Sequence, residues 1–248
     1  MDHKLKKWLP YYNEKRGSSI RIFCFHWAGG NAQFFQKAFE FDDNRYEVCS
    51  IELPGRDKSF THPLYHNMNN LLDDLIEDIG YFINEKDYAF FGHSMGGLIA
   101  YELSNKLKKK GYQSPKYLFL SACNPPSVLT KITGEEISPE RLMLLNGTSN
   151  EILEDSELYD IYMPILLADL NIIKSYSFKK EKRVSFPILA LVGTEDNLTP
   201  VNNMMLWNDY SDDCFNLRDF PGGHLYIKHY YKEVWECIER ELKEIIYK

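Results

Sequence analysis

The chain has 248 residues, of which 44% are hydrophobic and 26% charged, and a formal net charge of −7. That length fits one α/β domain or two small ones, and the composition is ordinary for a soluble globular protein. The acidic balance argues against nucleic acid as the main partner, and the lack of a long apolar run argues against a membrane span.

The N-terminal residues are charged and have no apolar stretch behind them, so the sequence predicts no signal peptide. The five cysteines are odd in number and scattered, without the C-x-x-C spacing of zinc or redox sites. We therefore expect a cytoplasmic protein whose cysteines are small core residues, and which uses neither a cofactor nor a metal.

Short apolar runs alternate with longer helical patterns along most of the chain. Strands are predicted at Ile20–Phe25, Tyr46–Ile51, Tyr88–Phe91, Tyr117–Ala122, Pro187–Val192 and Cys214–Leu217. Helices are predicted at about 68–84, 98–103 and 230–246. This alternation predicts the α/β class, with a mostly parallel central sheet and helices on both faces.

The loop after the first strand, Phe25–Asn31, combines a strand end, paired glycines and a helix start. Such a loop is suited to donate a backbone N–H to an oxyanion, and the predicted donor is Ala28 or, alternatively, Trp27. The glycine pair could instead form a plain turn. It is not a phosphate-binding loop, because it lacks the Lys-Ser/Thr of a P-loop.

A Gly-His-Ser-Met-Gly segment, Gly92–Gly96, joins the strand at Tyr88–Phe91 to a helical stretch. In that context G-x-S-x-G is typical of a nucleophile elbow, a strained turn that exposes the hydroxyl of Ser94. Side chains two residues either side would collide in such a turn, which explains the glycines. The N–H of Met95, at the positive end of the following helix, can donate to an oxyanion. The alternative is a glycine-rich turn with an incidental serine.

The segment from about 124 to 180 interrupts the alternation. It contains no convincing strand, but it has a short helical pattern at Glu140–Leu145 and a longer one at Pro164–Tyr176. A helical insertion at this point of the chain is where a lid would cover an active site, although it could also extend the helical layer. We interpret residues 1–248 as one domain, with a helical lid insertion at about 124–180.

A nucleophilic serine needs a base, and in this architecture the order along the chain is serine, acid, histidine. Asp196, in the loop after the strand at Pro187–Val192, is the predicted acid, with the adjacent Glu195 as the alternative. His224 follows the last predicted strand and two glycines, and is the predicted general base. Only His26 competes, and its place after the first strand fits an oxyanion loop better.

The sequence resembles the type II thioesterases, discrete α/β-hydrolases that accompany nonribosomal peptide and polyketide synthases. The matching blocks are Ala28–Gly30, Leu53–Arg56, Gly92–Gly97, Gly193–Asp196 and Phe220–His224, and Leu153–Tyr176 is similar to the family's lid. The Leu-Pro-Gly-Arg block and the lid pattern make the resemblance specific. Leu167 stands where the family's lid usually has an arginine, which removes a possible ion-pair partner of Asp169.

The resemblance implies an α/β-hydrolase fold and a serine thioesterase that frees acyl groups from the phosphopantetheine arm of carrier proteins. Ser94, His224 and Asp196 would form its triad, and Met95 and Ala28 its oxyanion hole. The implied partners are acyl or peptidyl carrier domains of a synthase, and we expect a monomer. Three alternatives remain: another serine hydrolase (a medium-chain acyl thioesterase or a carboxylesterase), an acyl transferase, and a non-catalytic binding module.

Overall fold

The computed structural model describes residues 3–15, 17–39, 45–132, 155–177 and 183–246. Within these residues six strands are found: β1 Ile20–Phe25, β2 Tyr46–Ile51, β3 Tyr88–His93, β4 Leu118–Ser121, β5 Ile188–Gly193 and β6 Phe215–Phe220. They form one sheet in the order β2-β1-β3-β4-β5-β6, and every pairing is parallel. Each predicted strand is therefore confirmed to within a few residues.

The same ranges contain eight α-helices. They are α1 His3–Trp8, α2 Gln33–Ala38, α3 Met68–Ile83, α4 Met95–Lys109, α5 Pro126–Ile132, α6 Ser156–Lys174, α7 Val201–Met205 and α8 Ile227–Ile246. The predicted helices correspond to α3, α4 and α8. Helix α1 was not predicted, although Leu5 and Trp8 lie one turn apart and are both buried.

Alternate strand residues enter two separate cores, one on each face of the sheet. In β3, Phe90 belongs to the core that includes residues of α3 and α4, whereas Phe91 belongs to the core that includes residues of α2 and α8. Burial on both faces explains why the central strands read as unbroken apolar runs instead of alternating patterns. The α/β class with helices on both faces is confirmed.

The strand order changes direction between β1 and β3. Helix α2, after β1, packs on one face of the sheet, and α4, after β3, packs on the other. The loops that follow these two strands therefore diverge and leave a crevice at the carboxyl end of the sheet, which is where open α/β sheets bind ligands. Ala28 lies in the loop after β1, and Ser94 directly follows β3.

Helices α5 and α6 lie in the predicted insertion between β4 and β5. Helix α6 begins well before the expected start at Pro164, because the Asp155 carboxylate caps it by accepting from the N–H groups of Glu157 and Leu158, at 2.9 and 3.1 Å. Pro164 thus lies inside the helix, and the predicted start was wrong. The helical pattern at Glu140–Leu145 lies outside the described residues, and the lid function stays a prediction.

All five cysteines are free thiols. Cys24, Cys49 and Cys123 are buried, as expected of small core residues, but Cys214 is exposed at the start of β6 and Cys237 is half-buried. The expectation therefore fails for Cys214, which precedes an edge strand. Among the helices in the described ranges, none is long and apolar enough to cross a membrane.

Candidate active site

Ser94 occupies the tight turn between β3 and α4, with φ +54° and ψ −120°. This backbone conformation is strained for a residue with a side chain. A Cβ atom on Gly92 would overlap the carbonyl of Gly96, and one on Gly96 would overlap the carbonyl of Phe25. Neither glycine can carry a side chain here, and this is the steric reason expected of a nucleophile elbow.

Ser94, His224 and Asp196 are joined by hydrogen bonds at the carboxyl ends of β3, β6 and β5. Ser94 Oγ lies 2.9 Å from His224 Nε2, and His224 Nδ1 lies 2.8 Å from Asp196 Oδ2. Asp196 and His224 are buried and Ser94 is partly exposed, whereas Glu195 is exposed. The structure thus brings Asp196, and not Glu195, to the imidazole, in an arrangement that can pass the serine proton to Nε2.

The Asp196 carboxylate is held in its charged form by several donors. Its Oδ1 accepts from the N–H groups of Leu198 and Thr199, at 2.8 and 3.1 Å, and its Oδ2 also accepts from the Thr199 hydroxyl. Burial would raise the pKa of Asp196, but the hydrogen bond and charge of His224 together with Thr199 outweigh it and lower the pKa. The anion can therefore orient His224 and stabilise an imidazolium.

Sequence reasoning missed Thr199. Its spacing from Asp196 was the available signal. A threonine three residues after an aspartate can donate its hydroxyl and its backbone N–H to the aspartate carboxylate in a local turn.

The predicted oxyanion donors lie on two segments that are in contact. Met95 begins α4 directly after Ser94 and is buried, and Ala28 is buried in the loop after β1. The backbone of Gly96 packs against the carbonyls of Phe25 and His26, which brings that loop beside the elbow. Both N–H groups remain predicted donors.

His26 does not reach Ser94 but supports the oxyanion loop from inside. Its Nδ1 donates to the Trp27 carbonyl at 2.8 Å, and its Nε2 accepts from the N–H of Leu53 at 3.4 Å. Burial, followed by the positive charge of Arg56, lowers the pKa of His26 to about 4, so the ring is neutral at physiological pH. This ring links the loop after β1 to the loop after β2.

The ring of His93 lies against that of His224, a contact that the sequence did not reveal. The His93 ring is fully buried, with the centroid 5.5 Å from that of His224. Its Nδ1 is 2.8 Å from Ser121 Oγ, which is 2.6 Å from the Tyr226 hydroxyl. Burial, and then the charge of His224, hold the pKa of His93 well below its usual range. A neutral ring in this position adds no positive charge beside His224.

Asp169 of α6 has an ion-pair partner that the sequence reasoning did not find. Its two carboxylate oxygens accept from the two terminal nitrogens of Arg56, each at 2.7 Å, and both side chains are buried. Burial would lower the pKa of Arg56, but Asp169 outweighs it and raises the pKa. Leu167 supplies no ion pair, as expected, but the arginine of the Leu-Pro-Gly-Arg block pairs with Asp169 instead.

The sequence predicts neither a metal nor a cofactor at this site. Among the side chains that the structure describes, no three His, Cys, Asp or Glu residues are grouped in a way that could hold a metal ion.

Comparisons with known proteins agree on one family. A family model described as a thioesterase domain matches residues 20–242. The gramicidin S biosynthesis protein GrsT of Aneurinibacillus migulanus is 31% identical over 247 residues, or 98% of this chain and 95% of the relative. The medium-chain S-acyl fatty acid synthase thioesterase of Homo sapiens is 32% identical over 221 residues, 85% of this chain and 82% of the relative.

A solved structure gives the same result. The type II thioesterase BorB from the borrelidin biosynthetic cluster superposes with a TM-score of 0.82 at 25% sequence identity. The match covers 95% of this chain and 98% of BorB. The similarity therefore extends over the sheet and the described part of the insertion together.

Proposed function

The chain belongs to the thioesterase family and is a thioesterase, and from this premise we propose that it frees acyl groups from carrier proteins of a nonribosomal peptide or polyketide synthase. The observation that carries the proposal is the hydrogen-bonded line of Ser94, His224 and Asp196 at the carboxyl edge of the sheet. Relatives named for gramicidin S and borrelidin biosynthesis support a role in removing stalled or aberrant acyl units.

In the proposed reaction, Ser94 Oγ attacks the thioester carbonyl carbon while His224 Nε2 takes its proton and Asp196 stabilises the imidazolium. The N–H groups of Met95 and Ala28 hold the oxyanion, and each such donor contributes roughly 3–4 kcal/mol. The carbon–sulfur bond then breaks, and the pantetheine sulfur takes the proton from His224. Water, deprotonated by His224, attacks the acyl-enzyme, frees the acid and restores Ser94.

Carrier proteins of the proposed class tend to be acidic, so the net charge of −7 opposes their approach. Local contacts must outweigh this repulsion. The exposed apolar side chains of α6 are suited to do so, because dispersion and burial do not depend on charge. They are Leu158, Ile161 and Leu167.

Replacing Ser94 by alanine tests the nucleophile. We expect Ser94→Ala to lower kcat by roughly 10⁴-fold or more, because the remaining residues supply only binding and oxyanion stabilisation. Binding of the acyl-carrier should change little, as measured by calorimetry. Ser104→Ala is the matched control, since Ser104 lies on α4, the helix that follows Ser94, and its hydroxyl donates to the Tyr101 carbonyl at 2.7 Å. Near-wild-type turnover of Ser94→Ala would overturn the mechanism.

A second candidate is a medium-chain fatty acyl thioesterase, which the human relative supports at 32% identity. The two functions differ in the acyl chain that is freed, so hydrolysis of acyl-carriers with short and medium chains separates them. Hydrolysis of an acyl-carrier, the matched acyl-CoA and a simple oxygen ester, all with the same acyl chain, tests the leaving group. We expect the carrier-bound thioester to have the highest kcat/KM, and a clear preference for the oxygen ester would contradict the proposal. Adding amine or alcohol nucleophiles to the same assay distinguishes hydrolysis from acyl transfer.

A further inference from the structure

Helix α6 contacts the oxyanion loop at Gly29. The N–H of Gly29 donates to Asp169 Oδ2 at 2.8 Å. Gly29 has φ +73°, and a Cβ atom there would overlap the hydroxyl of Tyr162, which is also on α6. The backbone conformation favours glycine at this position, and α6 lies close against it.

Asp169 is fully buried and is fixed in place by Arg56. The bidentate geometry leaves the carboxylate little freedom to rotate. The same guanidinium donates to the carbonyl of Gly30 at 3.2 Å and to that of Leu53 at 3.1 Å. Asp169 and Arg56 together therefore hold the N–H of Gly29 and the C=O of Gly30.

Both peptide units that flank the α-carbon of Ala28 are held by hydrogen bonds. In the first unit, the Trp27 carbonyl accepts from the N–H of Gly30 at 2.9 Å and from His26 Nδ1 at 2.8 Å. Because that peptide is trans, the N–H of Ala28 points opposite to the held carbonyl. In the second unit, the N–H of Gly29 is held by Asp169. The carboxylate of α6 thus holds the peptide unit directly after the one that carries the Ala28 N–H.

We propose that Asp169 is a positioning residue that fixes the oxyanion loop through Gly29, so that the oxyanion hole is complete only while α6 lies against the loop. The inference rests on the proposed function, in which Ala28 donates to the oxyanion. It couples the position of the predicted lid to the chemical step, because a shift of α6 removes the acceptor from Gly29.

The test compares Asp169→Asn with Tyr176→Phe as a matched control. Tyr176 follows α6 and donates to Glu102 Oε1 at 2.9 Å, so its loss loosens the end of α6 without touching the oxyanion loop. For Asp169→Asn we expect kcat to fall roughly tenfold to a hundredfold with KM little changed, since losing one oxyanion donor outright costs 10²–10³ in kcat. Tyr176→Phe should keep kcat within about twofold, well below the loss expected at the oxyanion loop.

Both variants are assayed on p-nitrophenyl butyrate and on butyryl-carrier protein. An oxyanion defect lowers kcat on both substrates, so the ester reports on Asp169 even if the carrier is not the substrate. Amide exchange of Gly29, followed by NMR, should speed up in Asp169→Asn and not in Tyr176→Phe. If Asp169→Asn does not fold, Arg56→Gln combined with Asp169→Asn removes both buried charges, and the same loss of kcat is expected. An equal effect of the two single variants, or a change confined to KM, would overturn the inference.

Discussion

At the scale of single residues, burial separates groups that look alike in the sequence. Asp196 and Glu195 are adjacent carboxylates in one loop, but only Asp196 is buried and bonded to His224. Both residues lie in the turn that follows β5, where the N–H of Glu195 donates to the Gly222 carbonyl at 2.9 Å and the N–H of Asp196 donates to the Gly193 carbonyl at 3.1 Å. The pair therefore offers a matched test of the acid.

We predict that Asp196→Asn lowers kcat by roughly 10⁴-fold, because an amide that donates to Nδ1 favours the wrong imidazole tautomer. Glu195→Gln, one residue away and exposed, should leave kcat within about twofold, as surface changes usually do. Steady-state hydrolysis of p-nitrophenyl butyrate measures both. A large loss in Glu195→Gln, with Asp196→Asn nearly unaffected, would reverse the assignment.

Glu52 is a buried carboxyl beneath the oxyanion loop. Its Oε1 accepts from the N–H of Ala32 at 3.3 Å and lies 3.8 Å from His26 Nε2. Its Oε2 has no hydrogen-bond partner within the described part of the chain. Burial raises the pKa of Glu52 to about 8, although the charge of Arg56 opposes the rise. At neutral pH the Glu52 carboxyl is therefore protonated in the folded protein and ionised in the unfolded chain.

We predict that the free energy of unfolding falls as pH rises from about 7 to 8, by up to about 1.4 kcal/mol per pH unit. In this window the folded state binds the Glu52 proton and the unfolded state does not, so a higher pH favours unfolding. His26 and His93 are neutral in the folded state because burial lowers the pKa of each, and they are mostly neutral in the unfolded chain above pH 7, so they oppose this slope only weakly. Glu52→Gln should remove the slope. Urea denaturation at each pH measures it, and equal slopes in the two proteins would contradict the assignment.

At the scale of secondary-structure elements, side-chain caps set where two helices begin. Asn67 caps α3 by accepting from the N–H groups of Asn69 and Asn70, at 2.9 and 3.2 Å. Asp155 caps α6 in the same way. The cap explains why α6 starts before Pro164, because a proline lacks an N–H but does not prevent a helix whose start is fixed by an earlier cap.

We predict that Asn67→Ala lowers the free energy of unfolding by about 1 kcal/mol, because two N–H groups of the first turn of α3 lose their acceptor. The control is Asn70→Ala, in the same turn and exposed, which keeps the cap and gains helix propensity. It should be neutral or slightly stabilising. Urea denaturation of both variants is the measurement, and equal destabilisation would show that the cap bonds contribute nothing.

At the scale of the whole molecule, the net charge of −7 acts on any charged partner at long range. The proposed carrier is acidic, so the encounter is opposed by repulsion that salt screens. An uncharged ester does not experience this repulsion. The two substrates therefore separate long-range electrostatics from the chemistry of the site.

We predict that kcat/KM for an acyl-carrier rises as ionic strength increases from about 0.01 to 0.15 M, because the screening length falls from about 30 to 8 Å. For p-nitrophenyl butyrate, kcat/KM should stay constant over the same range. Initial-rate measurements in sodium chloride test both. A fall with salt for the carrier would mean that a local basic surface, and not the net charge, governs the encounter.

The strands, the parallel sheet and the serine turn were predictable because their signals are local. Apolar runs of strand length and the Gly92–Gly96 motif involve neighbours in the chain, so the sequence records them directly. The order of Ser94, Asp196 and His224 was predictable because carboxyl ends of parallel strands share one edge of the sheet. Helix α1 was missed because six residues give too short a pattern to distinguish from a loop.

The sequence by itself thus determined the architecture, the serine and the order of its partners. Only the tertiary structure decided which acidic residue meets His224, that the ring of His93 lies against it, and that Asp169 pairs with Arg56, 113 positions away in the chain. The physical reason is the range of the interactions. Hydrophobic periodicity and turn chemistry act between near neighbours, whereas burial, ion pairing and the strength of a hydrogen bond depend on which distant segments the packed core brings together.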